Sequence, residues 1–127
     1  MARERSPRRV PAAEDPVQVT TLRPGDGKTF PKQGDQLVMH YAGSLDVTHP
    51  KEKPKVFDSS YSRNKPFQFR IGVGEVIRGW DEAILKMSLG EKASLRIGSQ
   101  KAFGKEGSGR VPPNSDLNYE VELLRIN

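Results

Sequence analysis

No cysteine occurs among the 127 residues, so the fold cannot depend on disulfides, use thiol chemistry or offer a thiolate to zinc. Long apolar runs are absent too. None approaches the roughly 20 residues of a transmembrane helix, and the N-terminus lacks the apolar stretch of a secretory signal. The expectation is a chain that enters no membrane and resides in the cytoplasm or nucleus. Histidine is scarce: His40 and His49 fall in different segments, and neither has an Asp, Glu or His at a metal-ligand spacing. Ser59-Ser60 has neither a GxSxG context nor an evident base. Gly72, Gly74 and Gly79 give G-x-G-x-x-x-x-G, which misses both the dinucleotide fingerprint and the P-loop. No metal and no cofactor are expected.

What is present suits one modest water-soluble core. Hydrophobic residues make up 34% and charged residues 29% of the chain, and its length fits a single domain, with a monomer as the default. The net charge of +5 invites a nucleic-acid reading, but most basic residues are dispersed. The densest cluster, Arg3, Arg5, Arg8 and Arg9, is set against Glu4 in a stretch, residues 1–16, with three prolines and almost nothing apolar. We read residues 1–16 as a flexible basic extension. A weak polyanion contact or a targeting role is the alternative, and nucleic acid is not the expected partner. The domain is expected to span residues 17–127.

Hydrophobic period divides that domain. Val17, Val19 and Thr21 alternate with Gln18, Thr20 and Leu22 up to the Pro24-Gly25-Asp26-Gly27 turn. A second strand follows over Leu37–Leu45, with Leu37, Met39 and Tyr41 on one face and Val38, His40 and Ala42 on the other. Asp46 to Lys55 reads as a solvated loop or bulge. Phe67, Phe69 and Ile71 mark a strand that stops at Gly72-Val73-Gly74. The period then changes: Ile77, Trp80, Ile84 and Met87 fall on one face of a short amphipathic helix, with Arg78, Asp81, Glu82 and Lys86 away from it. Gly79 lowers its helix propensity by roughly 1 kcal/mol relative to Ala, so packing of Trp80 and Ile84 must hold it. Alternation returns at Ala93, Leu95 and Ile97 and at Leu117, Tyr119, Val121 and Leu123, separated by an irregular loop over Phe103–Pro113. The layout is α+β: one twisted antiparallel sheet whose apolar face a single helix covers.

Six aromatic residues, Tyr41, Phe57, Phe67, Trp80, Phe103 and Tyr119, come from strands, helix and loop, too many for so small a core to absorb without a pocket. The plain alternative is that they are core. Their sequence contexts decide between the two. His40-Tyr41-Ala42-Gly43, Phe57-Asp58-Ser59-Ser60, Arg63-Asn64-Lys65-Pro66-Phe67, Val76-Ile77-Arg78-Gly79-Trp80, Met87-Ser88-Leu89-Gly90-Glu91, Ala102-Phe103-Gly104 and Val121-Glu122-Leu123-Leu124 resemble, in order and spacing, the FKBP-type prolyl isomerases. The resemblance covers nearly everything after residue 16.

It implies a sheet of five to six antiparallel strands wrapped around one short amphipathic helix, and peptidyl-prolyl cis/trans isomerase activity. The implied pocket has Trp80 as floor, Tyr41, Phe57, Phe67, Val76, Ile77 and Tyr119 as walls, and Phe103 and Val111 closing it from the loop. Asp58 would be the one acidic group at the rim, held by Arg63, and the Ile77 backbone N–H would bind a carbonyl. Tyr41, Phe57, Asp58, Trp80 and Phe103 would be catalytic. The implied partners are proline-containing peptides and proteins, the macrolides tacrolimus and rapamycin, and, through a drug complex, calcineurin or a TOR-type kinase.

The chain departs from the family pattern in four places. Phe103 stands where a tyrosine is usual. The loop from Gly104 to Pro112 is one residue shorter, with Arg110 in an aliphatic position beside Val111. Tyr119 replaces a common phenylalanine, and the Asp46–Lys55 insertion is longer than in the smallest members. The altered loop leaves a second reading, a non-catalytic proline-recognition module.

Overall fold

A computed structural model describes residues 17–46 and 55–127. The expected extension, residues 1–16, and most of the expected loop, residues 47–54, lie outside the described residues. Six strands form one antiparallel sheet: β1 (Gln18–Arg23), β2 (Gln36–Leu45), β3 (Lys55–Ser59), β4 (Phe67–Arg70), β5 (Lys92–Ile97) and β6 (Leu117–Ile126), in the order β1-β5-β6-β2-β3, with β4 also on β2. The helix α1 (Arg78–Ala83) runs into a 3₁₀ turn over Ile84–Lys86, and a second 3₁₀ turn follows β5 at Ser99–Lys101. No helix among the described residues is long and apolar enough to cross a membrane.

β2 organises the sheet. One edge pairs with β6 from Leu37↔Ile126 to Leu45↔Leu117. The other edge takes two short strands in succession, β4 against Gln36–Met39 and β3 against Ala42–Leu45. The gap between them is closed by Ser60. Its N–H donates to the Tyr41 carbonyl (2.9 Å) and its Oγ accepts the Tyr41 N–H (2.7 Å), so a side chain supplies the acceptor that a ladder partner would otherwise provide. Ser60 is fully buried. Oγ also lies 2.8 Å from His40 Nδ1, while the His40 ring stacks on Tyr61 at 4.5 Å. The base that sequence spacing did not supply to Ser60 is therefore present. With no exposure and its oxygen already committed, Ser60 offers no nucleophile to a substrate.

The alternation of β2, β5 and β6 places Leu37, Met39, Tyr41, Ala93, Leu95, Ile97, Leu117, Tyr119, Val121 and Leu123 on the inner face, all buried, against Trp80, Ala83, Ile84 and Met87. The helical face is as expected, but the helix is shorter than its period suggests. After Ala83 the chain tightens to 3₁₀, and Met87 is already extended (φ −89°, ψ 146°). Gly79 is required for contact: a Cβ there would stand 2.5 Å from Ile97 Cγ2, so the missing side chain lets the helix lie directly on β5.

β1 does not follow its own alternation. It pairs with β5 only, all six residues are exposed, and Val19 and Leu22 retain 42% and 49% exposure, because its position at the sheet edge leaves no layer over either face. β3 carried no strand signal at all.

Candidate active site

Between α1 and the sheet lies a cavity of about 380 Å³, lined by Tyr41, Asp58, Phe67, Gly74, Glu75, Val76, Ile77, Trp80, Phe103 and Tyr119. Each lining group is delivered by a different local rule. Tyr41 and Tyr119 point inward because β2 and β6 alternate. Trp80 comes from the first turn of α1, 3% exposed, and four rings surround it: Tyr119 at 5.2 Å, Tyr41 at 5.3 Å, Phe69 at 5.5 Å and Phe67 at 6.2 Å. Most of these contacts are edge-to-face, the geometry that aromatic quadrupoles favour. The Trp80 indole N–H is buried without a hydrogen-bond partner among the described residues.

The wall from Gly74 to Ile77 is set by an acidic group that sequence period had assigned to the outer helical face. Asp81 accepts N–H bonds from Gly72 (2.7 Å) and Gly74 (3.0 Å), both at positive φ near 80°, and so pins the turn after β4 to α1. A glycine pair followed by an acid in the next helical turn is the signal that could have shown it. Among the described residues, no hydrogen bond uses the Ile77 N–H, while the Ile77 carbonyl accepts from Trp80 and Asp81.

One side of the mouth is polar. The Tyr41 hydroxyl donates to Asp58 Oδ2 at 2.5 Å, Arg63 donates to Asp58 Oδ1 at 2.5 Å, and a second Arg63 nitrogen donates to the Tyr41 oxygen at 2.9 Å. Desolvation works to raise the Asp58 pKa, but hydrogen bonds from Tyr41 and Arg63 and the Arg63 charge outweigh it and hold the carboxyl below its ordinary value. Desolvation and the same Asp58 contact raise the Tyr41 phenol. The network is thus fixed as carboxylate, neutral phenol and guanidinium across the neutral range.

The structure brings Tyr41, Asp58, Phe67, Val76, Ile77, Trp80, Phe103 and Tyr119 together around one cavity, and Arg63 onto its rim through Asp58. Phe57 and Val111 stand outside the lining. Phe57 meets Tyr119 edge-on at 5.8 Å, and Val111 is 4% exposed within the core. Asp58 is also not the sole acid there: Glu75 lines the cavity too, and its carboxylate accepts the Arg70 N–H at 2.9 Å. Asp46, placed by composition in a solvated loop, instead accepts from both Arg96 and Asn118 and anchors the end of β2. Among the described residues, no group of three His, Asp or Glu side chains could hold a metal ion.

An antiparallel sheet wrapped on a short helix, with an aromatic cavity between them, defines the class as a small α+β protein with an aromatic binding cavity. The model of the FKBP-type peptidyl-prolyl cis-trans isomerases matches residues 27–124, and the chain belongs to that family. It is similar to FK506-binding protein 1 of Rhizopus delemar, 54% identical over 112 residues, covering 87% of this chain and 98% of that protein. It is likewise similar to FK506-binding protein 1 of Saccharomyces cerevisiae, 50% identical over 90% of this chain and 96% of that protein. The peptidyl-prolyl cis-trans isomerase Fkbp12 of Drosophila melanogaster is 49% identical over 87% of this chain and 97% of its own length. The chain is a peptidyl-prolyl cis-trans isomerase.

Proposed function

We propose that the proline ring of an X-Pro substrate sits on the Trp80 indole, between Tyr41, Phe67, Tyr119 and Phe103, with Val76 and Ile77 at its side. The observation that carries this is the near-complete burial of Trp80 at the floor of a 380 Å³ aromatic cavity. The X-Pro bond resists rotation because conjugation gives it partial double-bond character, with a barrier of about 18–20 kcal/mol. Rotation breaks no bond. It removes conjugation and part of the amide's charge separation, so the twisted amide is penalised less than the planar one on leaving water. An aromatic cavity then lowers the barrier by binding the twisted form best. The uncommitted Ile77 N–H binds a substrate carbonyl, and the Asp58, Tyr41 and Arg63 network steers the amide as it turns. Phe57 and Val111 support Tyr119 and the loop from behind.

Macrolides such as tacrolimus and rapamycin compete for the same cavity in this reading, supported by the names of the FK506-binding relatives. Their complexes would present the loop and β3 to calcineurin or a TOR-type kinase, and residence is cytoplasmic or nuclear. The test is acceleration of isomerisation of an X-Pro peptide, with rapamycin titrated in. Inhibition at about one equivalent, with loss of rate in Trp80→Leu, is expected; an uninhibited rate would overturn the placement. Unchanged turnover and ligand affinity in Asp58→Asn would remove the steering role.

A further inference from the structure

A second depression, of about 450 Å³, lies beside the aromatic cavity. Asp58 belongs to the wall of both. One bank is β3, through Val56 and Phe57; the other is built by Ser62 and Arg63 from the turn after it and by Arg110 from the long loop. Of the polar groups lining it, Asp58 and Arg63 neutralise each other through a 2.5 Å contact, and Ser62 spends its hydroxyl on the Ser59 carbonyl at 2.9 Å. Arg110 is exposed and makes no ion pair with any described residue. Among the described residues the groove therefore carries one positive charge without an ion-pair partner, beside an apolar shelf, since Val56 is 57% exposed.

We infer that this groove is a subsite for the residue flanking the proline, and that Arg110 makes it select an acidic side chain. The inference rests on the proposed seating of proline over Trp80. A peptide held there has its next Cα only about 3.8 Å along the chain, and Asp58 leads from one depression to the other. The aliphatic part of a Glu side chain covers Val56 while its carboxylate reaches the guanidinium, which presents a planar fork suited to that acceptor. A lysine at the same place meets like charge.

The test measures kcat/KM for proline peptides carrying Glu, Gln or Lys immediately before or after the proline, at low and at high salt. The native chain is expected to prefer Glu over Lys by about two- to fivefold at one of the two positions, the range for exposed ion pairs, with Gln between. Arg110→Gln flattens that order, Arg110→Glu inverts it, and high salt shrinks both preferences as the charges are screened. An order unchanged between the native chain and Arg110→Glu, or no charge preference at either position, overturns the subsite while leaving the proline cavity standing. Absence of turnover with every peptide would instead overturn the proline reading, and the subsite with it.

Discussion

The two sides of the cavity hold their aromatic rings by different means. Tyr41 sits mid-strand in β2, with β6 along one edge and the β3, Ser60 and β4 succession along the other, its hydroxyl tied to Asp58 and Arg63 and its ring against Trp80. Phe103 faces it from a segment with no strand ladder between β5 and β6. That segment is held by Gly104 N–H to Ser99 O (2.7 Å), Asn114 N–H to Gly104 O (2.8 Å), Ser99 N–H to the Asp116 carboxylate (3.0 Å) and the pair formed by buried Lys101 with Glu82 (2.7 Å). Floor and polar wall are thus built on the sheet ladders, whereas the loop wall is held by turn hydrogen bonds, these ties and the buried Val111. Changes to the first side should cost stability and activity together; changes to the second should move recognition more than folding.

The largest expected effect lies at the floor. Trp80→Ala removes the ring that four others pack on, and is expected to destabilise by about 3–5 kcal/mol and abolish catalysis, read by urea denaturation and the isomerisation assay. Trp80→Leu keeps most of the volume and should fold, yet lose catalysis. Native-like turnover in that variant would break the claim that the floor is what binds the twisted amide.

Next is the seam in β2. Ser60→Ala leaves the Tyr41 N–H buried without its 2.7 Å acceptor, and an unsatisfied buried donor costs about 1–3 kcal/mol. The shift should show in the urea midpoint with an unchanged slope. A loss of only a few tenths would mean that the strand closes over the gap, and that the rigid side owes less to this serine than its geometry suggests.

Ser60 also marks the limit of what the sequence discloses. Period two exposed β2, β5 and β6 because one face of each is fully buried, and period three-to-four exposed α1 through Trp80 and Ile84. β3 escaped because, as an edge strand of five residues, none more than partly buried, it has no face to alternate against. β1 was found for the wrong reason, since its apolar residues alternate without burial. Most of the cavity was legible through motif resemblance, which carries aromatic identities. The hydrogen bonds of Asp81, Asp46 and Lys101 were not, because each joins segments whose approach is decided by tertiary packing.

Lys101 sharpens the comparison on the loop side. Its ammonium is nearly buried and bonded to Glu82, which also meets Arg78 at 3.2 Å, tying the start of the loop to the helix that carries Trp80. Lys101→Met should cost about 1 kcal/mol, since Glu82 is partly exposed and keeps Arg78, while weakening rapamycin several-fold as Phe103 loses its tether. The Lys101 hydrogen bond, the first cause, and Arg78 hold the Glu82 carboxyl below its ordinary value against desolvation. A depressed carboxyl contributes stability that is complete above its unfolded pKa and is lost as pH falls through the folded value. Lys101→Met should therefore flatten that acid limb and leave stability at neutral pH nearly pH-independent; an unaltered limb would place the coupling in Arg78 alone.

The smallest expected effect is on the rigid side itself, at Tyr119. Its residue is 6% exposed, burial raises its phenol well above the ordinary range, and its hydroxyl makes no hydrogen bond with any described residue. The oxygen is not fully occluded, and the residue lines the cavity. Removing a hydroxyl that has no partner leaves nothing unsatisfied behind, so Tyr119→Phe is expected to change stability by less than about 1 kcal/mol. Ligands should respond by type: one that presents an oxygen to the Tyr119 wall loses a donor and weakens by about tenfold or less, whereas a purely hydrocarbon ring binds as before. Calorimetric titration with two such ligands reads the difference directly. A destabilisation of 2 kcal/mol or more, on the order of a lost buried hydrogen bond, would show the hydroxyl to be part of the fixed wall instead of a free group facing the substrate.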